Sequence, residues 1–421
     1  MTSEIKNQKE IAIKAIRKKL IGKRLKYKEI YAIMDEIAHE RLSDILTTYF
    51  VASSFKEGYS EKELYYFTKA MVETGNRLKF KGIIADKHSV GGIAGTRTTM
   101  IVVPIIAAAG YKIPKISSRA ITTPAGTADV MESIANVDFS IDQIKKIVNN
   151  IGGCIAWNGK LNIAPADDVI IRVEEPLMFE SFDKIIISVM SKKIAAGTTH
   201  LVLDLPYGKT AKINRLSDAQ KVARKFEMLA KKFNIKVAFD INEMLEPAGR
   251  GIGPILEARD VLYVLEQHID RPLRLEAKAL RLAGLLLDLC YKEEKKDLKG
   301  EEEAKKILKS GLALKKFQEI VAAQGGDKEI KSNKLKLAKF KKDILAKFSG
   351  KIKDINNYNI NIIAKILGAP KDKQAGIYLY KKLDHQVKKN EPLMAFYSND
   401  DYLLREAEVT MENLPIFTIE H

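Results

Sequence analysis

Cysteine, tryptophan and histidine are scarce in this chain. Its 421 residues include two cysteines, Cys154 and Cys290, one tryptophan and six histidines. Two cysteines allow at most one disulfide, and both sit in apolar runs. That excludes a cross-linked secreted scaffold and points to a reducing, cytoplasmic compartment. The histidines, at 39, 88, 200, 268, 385 and 421, never pair at i, i+3 or i+4, so helical zinc motifs are excluded. Long apolar runs are missing as well. The longest, Met100 to Gly110, falls far short of the ~20 residues a membrane span requires, and the N-terminal MTSEIKNQKEIAIKAIRKKL has no signal-peptide core. Neither G-x-x-x-x-G-K-[ST] nor G-x-G-x-x-G occurs, which removes the two commonest phosphate loops.

Acidic charge is also in deficit. Lysine and arginine number 71 against 54 aspartate and glutamate, a net charge of +17. Much of the excess is lysine, concentrated in Lys328–Lys353, where ten lysines meet only Glu329 and Asp343. No recognition helix and no aromatic–basic interleaving accompanies it, so nucleic-acid binding is not expected as the main role. A positive field that gathers a phosphorylated substrate and free phosphate is the expected use of the charge. With 46% hydrophobic and 30% charged residues, the chain has the composition of a soluble protein large enough for two or three domains.

What the chain does have is concentrated in Lys81–Thr99, KGIIADKHSVGGIAGTRTT. Gly82–Ala85 is a short apolar run expected to form a buried strand. Asp86, Lys87, His88 and Ser89 follow, and Gly91, Gly92 and Gly95 fall within five residues. The apolar run from Met100 is expected to be a buried helix that stops at Gly110. Strand, glycine loop and helix together present backbone N–H groups and a helix N-terminus to an anion. Lys87 adds a positive charge, and Ser89, Thr96, Thr98 and Thr99 add hydroxyls.

A second hydroxyl-rich loop, Ser117 to Asp129, follows a candidate strand at Ile113–Ser117 and opens a helix near Thr127. Two such loops would converge at the carboxyl edge of a parallel sheet. Upstream, residues 1 to about 80 carry helical spacing, with Ser60-x-x-Glu63 as a capping box and Gly75 as a C-cap. Ala164–Asp168 breaks the pattern before Val169–Arg172. Between about Asp183 and Ala196 a helix carries Ser188 and Lys192 one turn apart, among enough isoleucines to bury it, so Lys192 requires an acceptor. Later segments add strands at His200–Leu205 and Lys236–Asn242, a glycine-rich helix start in GRGIGPILEARD, and a small C-terminal α/β domain.

DKHSVGGIAGTRTT resembles the phosphate loop of the thymidine phosphorylase and AMP phosphorylase family. LSDI, MVETGN, SSRAIT with GTAD, and GRGIGPILEARD extend the resemblance over nearly the whole chain. It implies a pyrimidine nucleoside phosphorylase-like α/β fold: a helical lobe over 1–80 joined by about 165–197, a large, mainly parallel α/β lobe over 81–164 and 198–318, and a C-terminal α/β domain over 319–421. The implied reaction is attack of inorganic phosphate, as co-substrate, on C1′ of a nucleotide or nucleoside, with no cofactor and no metal.

Residue by residue, the resemblance gives phosphate to Lys87, Ser89, Gly92, Thr99 and Thr127. It gives phosphate and ribose to Ser118, Arg119, Ala120, Ile121, Thr122 and Thr123, and the base to Arg172, Ser188 and Lys192. Glu180 stands where the family has an aspartate proton donor; His88 is a second candidate, and Asp183 lies one turn away. Lys212 matches a lysine that contacts the nucleotide in the AMP branch, whose products are free base and ribose 1,5-bisphosphate. That branch carries an extra N-terminal domain, and this chain begins almost where that domain would end. A homodimer through the helical lobe is therefore expected, as in the shorter relatives. Thymidine or pyrimidine-nucleoside phosphorolysis is the alternative. The similar fold of anthranilate phosphoribosyltransferase is a more distant one, because SVGGIAGT lacks the acid of that enzyme's glycine loop.

Overall fold

The computed structural model describes residues 3–53, 58–91, 93–120, 123–159, 161–174 and 181–420. The chain forms two compact units. One comprises Met1–Ile84, Asn158–Thr199 and Gln220–Val237, and the other Ala85–Trp157, His200–Ala219 and Ala238–His421.

The larger unit is built on parallel strand pairs. Strand β1 (Ala85–Ser89) runs beside β4 (His200–Tyr207), with Ala85 opposite His200 and Ser89 opposite Asp204. Strand β2 (Ile113–Ser117) runs beside β3 (Gly153–Trp157), and β5 (Lys236–Glu243) adjoins β4. The Ala85 N–H donates to the Lys112 carbonyl at 2.8 Å, tying β1 to the chain that enters β2. β1 lies later than the apolar run suggests, so Asp86, Lys87 and His88 are strand residues rather than loop residues. A strand can carry these charges because each meets an opposite charge or a backbone partner inside the fold. Lys115 Nζ lies 3.4 Å from the Asp86 carboxylate, which also accepts the Lys87 N–H at 2.7 Å. The helix Thr99–Ala108 is buried from Thr99 to Ala107, as its composition demands, and the chain turns out of it at Gly110 with φ +93°.

The C-terminal part of this unit is antiparallel. Strand β6 (Gly251–Ile252) pairs with β9 (Gly376–Leu379), and β9 and β7 (Phe340–Leu345) flank β11 (Pro392–Ser398). A second sheet sets β8 (Gly350–Ile355) between β10 (Gln386–Val387) and β12 (Phe417–Glu420). Thus GRGIGPILEARD is more than a helix start: its Gly251–Ile252 is the edge strand of the C-terminal sheet, ahead of the helix Pro254–Leu265. A Cβ at Gly376 would lie 2.0 Å from the Ile252 carbonyl, so only glycine lets these strands approach. The lysine-rich segment is largely paired here. Lys342 meets Glu408 at 2.5 Å, Lys351 meets Asp384 at 2.8 Å and Lys353 meets Glu420 at 3.0 Å.

The smaller unit is helical. Ile30, Ile33, Met34 and Ile37 of the helix Tyr27–Ala38 form one buried stripe. Ala164–Asp168 is no break but a helix start. Pro165 opens the helix Pro165–Glu174, with Asp167 and Asp168 in its acid-favouring first turn. Gly75 is not a left-handed cap; Thr74 closes the preceding helix, and Gly75 is glycine because a Cβ would meet Pro165 Cδ at 2.6 Å.

The capping box forms as expected, with Ser60 Oγ accepting the Glu63 N–H and Glu63 accepting the Ser60 N–H at 3.1 Å. Glu63 is only 1% exposed and also accepts from Lys19 at 3.0 Å, Arg24 at 2.7 Å and the Leu25 N–H at 3.2 Å. Burial would raise its pKa, but hydrogen bonds from Lys19, Ser60 and Arg24 outweigh it and bring the carboxyl down to about 2 from 4.5. A depressed carboxylate stabilises the fold above its unfolded pKa, and that contribution disappears as pH falls through the folded value. Glu63→Gln should therefore cost about 3 kcal/mol at neutral pH. The gap to wild type in denaturant unfolding should close between pH 4.5 and about 2; a pH-independent gap would refute this assignment.

Candidate active site

Lys87 is the centre of the larger unit's polar interior. It is 1% exposed on β1, and its Nζ donates to Ser89 Oγ, to Thr98 Oγ1 at 2.8 Å and to Thr99 Oγ1 at 3.4 Å. Asp204 Oδ2, on the neighbouring strand, lies 3.9 Å away and accepts from Ser89 Oγ at 2.7 Å. Lys278 of the helix Leu273–Glu294 reaches Asp204 at 2.7 Å, and Asn242 of β5 donates to it at 3.2 Å. Arg281, one turn after Lys278, holds Asp240 of β5 through two bonds of 2.8 and 2.9 Å. Burial drives the Lys87 pKa down to about 8 against the pull of Asp204. Burial opposes ionisation of Asp204 too, yet Lys87 and Lys278 hold it below the ordinary carboxylate range. The result is a desolvated cation ringed by hydroxyls where the helix Thr99–Ala108 begins. Thr98 gives that helix no side-chain cap. A helix N-terminus, hydroxyls and a low-dielectric ammonium can together hold a phosphate-sized anion.

Arg97 joins this loop to the second one. It donates to Glu257 at 2.9 Å, to Thr127 Oγ1 at 3.0 Å and to the Ala125 carbonyl at 2.7 Å. Asp129 gathers the second loop by accepting the Ala120 N–H at 2.7 Å and the Gly126 N–H at 2.9 Å. A Cβ on Gly126 would lie 2.6 Å from the Arg119 backbone, so the loop closes on itself only with glycine there. Arg119 forms an ion pair with Glu132 and packs over the Trp157 ring, 4.5 Å from its centre. Ser118, Ala120 and Thr123 are half-buried on the same loop, and Thr123 Oγ1 donates to the Ala125 carbonyl at 3.0 Å. Gly92, Ile121 and Thr122 lie outside the described residues.

His88 is half-buried, and the strand alternation directs it to the opposite face of β1 from Lys87 and Ser89. Lys212 follows β4 in a turn closed by the Gly208 N–H to the Ile213 carbonyl at 2.9 Å. Asn357 braces that turn through Thr210 Oγ1 at 2.8 Å, and Tyr358 through the Ala211 carbonyl at 3.2 Å.

In the helical unit, Lys192 and Ser188 converge on Asp167, at 2.5 and 2.9 Å. The acceptor that half-buried Lys192 requires is therefore this carboxylate, on the helix Pro165–Glu174. Burial and Asp167 push the neighbouring Asp168 up to about 6, against Lys192 and an Asn158 hydrogen bond of 3.1 Å. Arg172, on the same helix, pairs with Asp44 at 3.1 Å and Glu40 at 3.5 Å. Glu180 lies outside the described residues. Asp183 is occupied, accepting the Tyr59 N–H at 2.9 Å and pairing with Lys225, so it holds the helical unit together instead of standing free as an acid.

Sequence reasoning passed over Asp204, Lys278, Arg97, Glu257 and Asp167. The available signal was weak: an aspartate inside the apolar strand His200–Leu205 and a lysine in an otherwise apolar helix face, each demanding a buried partner.

Three family models match the chain in order. The helical bundle domain of the glycosyl transferase family matches residues 13–75, its a/b domain residues 81–314, and the pyrimidine nucleoside phosphorylase C-terminal domain residues 351–415. The AMP phosphorylase 1 of Archaeoglobus fulgidus is 41% identical over 407 residues, covering 96% of this chain and 80% of that protein. A Rhodopseudomonas palustris protein that bears a thymidine phosphorylase name is 43% identical over 390 residues, 92% of this chain and 74% of that one. The solved anthranilate phosphoribosyltransferase of Thermus thermophilus shares the fold, with a TM-score of 0.61 at 17% identity over 74% of this chain and 99% of that one. The chain belongs to the glycosyl transferase family, in its thymidine phosphorylase and AMP phosphorylase branch.

Proposed function

We propose that the protein phosphorolyses the N-glycosidic bond of a nucleoside 5′-monophosphate such as AMP, with CMP and UMP as further candidates. An oxygen of inorganic phosphate forms a bond to C1′ while the C1′–N bond breaks. The bonding pair leaves with the base, which takes up a proton, and ribose 1,5-bisphosphate remains. The observation that carries this reading is Lys87, a buried cation whose Nζ is surrounded by Ser89, Thr98 and Thr99 at a helix start. Such a group orients phosphate and aims its charge at an oxocarbenium-like C1′. In this reading Thr127 completes the phosphate contacts, Ser118–Thr123 meet phosphate and ribose, and Arg172, Ser188 and Lys192 orient the base. Glu180 supplies the proton in this reading, since His88 stands on the face of β1 away from Lys87 and Ser89.

Support for a nucleotide comes from Lys212, and from relatives named AMP phosphorylase in Archaeoglobus fulgidus and other organisms. The relative with a thymidine phosphorylase name keeps the nucleoside reading as the competitor. We also propose a homodimer through the helical lobe, where Leu20, Ile21, Ile45 and Tyr49 are exposed. A cytoplasmic location fits the two buried free thiols, and no described helix is long and apolar enough to cross a membrane.

Release of adenine from AMP should require inorganic phosphate, yield ribose 1,5-bisphosphate and survive a metal chelator. Equal release in phosphate-free buffer would overturn phosphorolysis. Lys87 binds phosphate as the cation, so kcat/KM for phosphate should fall as pH rises through about 8. Lys87→Ala should lose both that limb and most of the efficiency, and wild-type efficiency in the variant would displace the site. If Lys212 meets the 5′-phosphate, its charge-assisted contact is worth about 1.5–3 kcal/mol. Lys212→Ala should then cut efficiency on AMP by about ten- to a hundredfold and leave adenosine nearly unchanged. Equal losses on both substrates would make Lys212 structural.

A further inference from the structure

Lys373 belongs to the C-terminal domain, yet its side chain ends on the second loop of the α/β domain. Its Nζ lies 3.1 Å from Asp129 and 2.8 Å from Glu132. Asp129 is the residue that gathers the loop through the Ala120 and Gly126 N–H groups. Glu132 holds Arg119. The backbone beneath Lys373 is fixed as well, because its carbonyl accepts the Ile255 N–H at 2.9 Å.

Charge balance gives this contact its meaning. Two carboxylates stand behind a loop assigned to an anionic substrate. Arg119 and Lys373 neutralise them, one cation for each. Without Lys373 the cluster would carry one uncompensated negative charge facing a phosphorylated ligand. Arg97, the other cation at this loop, is already matched by Glu257 at 2.7 Å and has no charge to spare.

We propose that Lys373 is a positioning residue for substrate binding: it makes the C-terminal domain the source of the counter-charge that lets the loop Ser118–Thr127 accept an anion. This inference rests on the phosphorylase reading of that loop. Lys373 contacts no substrate in this arrangement and acts through Asp129 and Glu132.

The test compares Lys373→Met, Lys373→Arg and the double variant Lys373→Met with Glu132→Gln. One uncompensated charge at protein-surface dielectric weakens anion binding by about five- to tenfold. Lys373→Met should raise KM for AMP by that factor with kcat little changed, and the deficit should shrink at high salt. Lys373→Arg should stay near wild type. The double variant, with its charge balance restored, should recover most of the loss. Lys373→Met with a wild-type KM overturns the proposal. So does a double variant no better than the single one, the result expected of a purely structural contact. Calorimetric titration with AMP and with inorganic phosphate separates the two levels of argument. Wild-type protein that binds AMP but releases no base defeats the phosphorylase reading, while the affinities of the variants still decide the role of Lys373. Failure of wild type to bind either anion defeats both.

Discussion

A lysine buried beside an aspartate on neighbouring parallel strands is the constraint on which the rest depends. Lys87 and Asp204 lie 3.9 Å apart with both side chains almost fully enclosed. Removing two charges from water costs several kcal/mol per ion, and their attraction often fails to offset that cost. Such a pair is a poor way to stabilise a sheet, so its presence inside β1 and β4, beside the start of the helix Thr99–Ala108, argues for a use. The fold supplies what the pair lacks: Ser89, Thr98 and Thr99 around the ammonium, and Lys278, Asn242 and Ser89 around the carboxylate. Lys278 and Arg281 then oblige β5 to carry Asp240. One buried cation thus fixes the identity of side chains on three strands and a helix.

Local features were legible in the sequence because their physics is local. The capping box at Ser60 and Glu63 and the apolar helix that stops at Gly110 both stand where composition and spacing put them. Position along a strand was not legible. The apolar run Gly82–Ala85 drew attention away from Asp86–Ser89, whose charges are masked by Lys115 and Asp204 from other strands. The same blindness hid Asp167. Lys192 visibly needed an acceptor, but the acceptor is 25 residues earlier, on a helix whose opening proline looked like a break. Partners joined only by tertiary structure, such as Arg97 with Glu257, leave no periodic trace.

The C-terminal domain shows the limit of reading chain segments separately. Its lysine-rich stretch looks like an unassigned basic face, yet several of those lysines meet carboxylates on adjacent strands. Exposed pairs of this kind contribute little individually. The domain's consequential side chains lie elsewhere. Lys382 donates to the Gly249 carbonyl at 2.9 Å, and the Gly249 N–H donates to Gly95 of the first loop at 2.7 Å. Asn357 and Tyr358 brace the turn that bears Lys212, and Lys373 reaches the second loop.

These contacts divide the work by charge. Behind the loops, cations and carboxylates are matched: Arg97 with Glu257, Arg119 with Glu132, and Lys373 with Asp129. At Lys87 the match is incomplete, because Asp204 is shared with Lys278 and burial has already lowered the lysine's proton affinity. In the proposed reaction an arriving anion would therefore meet neutralised walls and one under-compensated cation in a low-dielectric setting, where a single charge acts strongly. Paired charges elsewhere keep that attraction directed: had the loop carboxylates been left bare, they would have opposed it, and had the loop cations been left bare, they would have competed for the same phosphate. On the proposed function, binding selectivity for phosphate would then follow from where charge is cancelled as much as from where it is supplied.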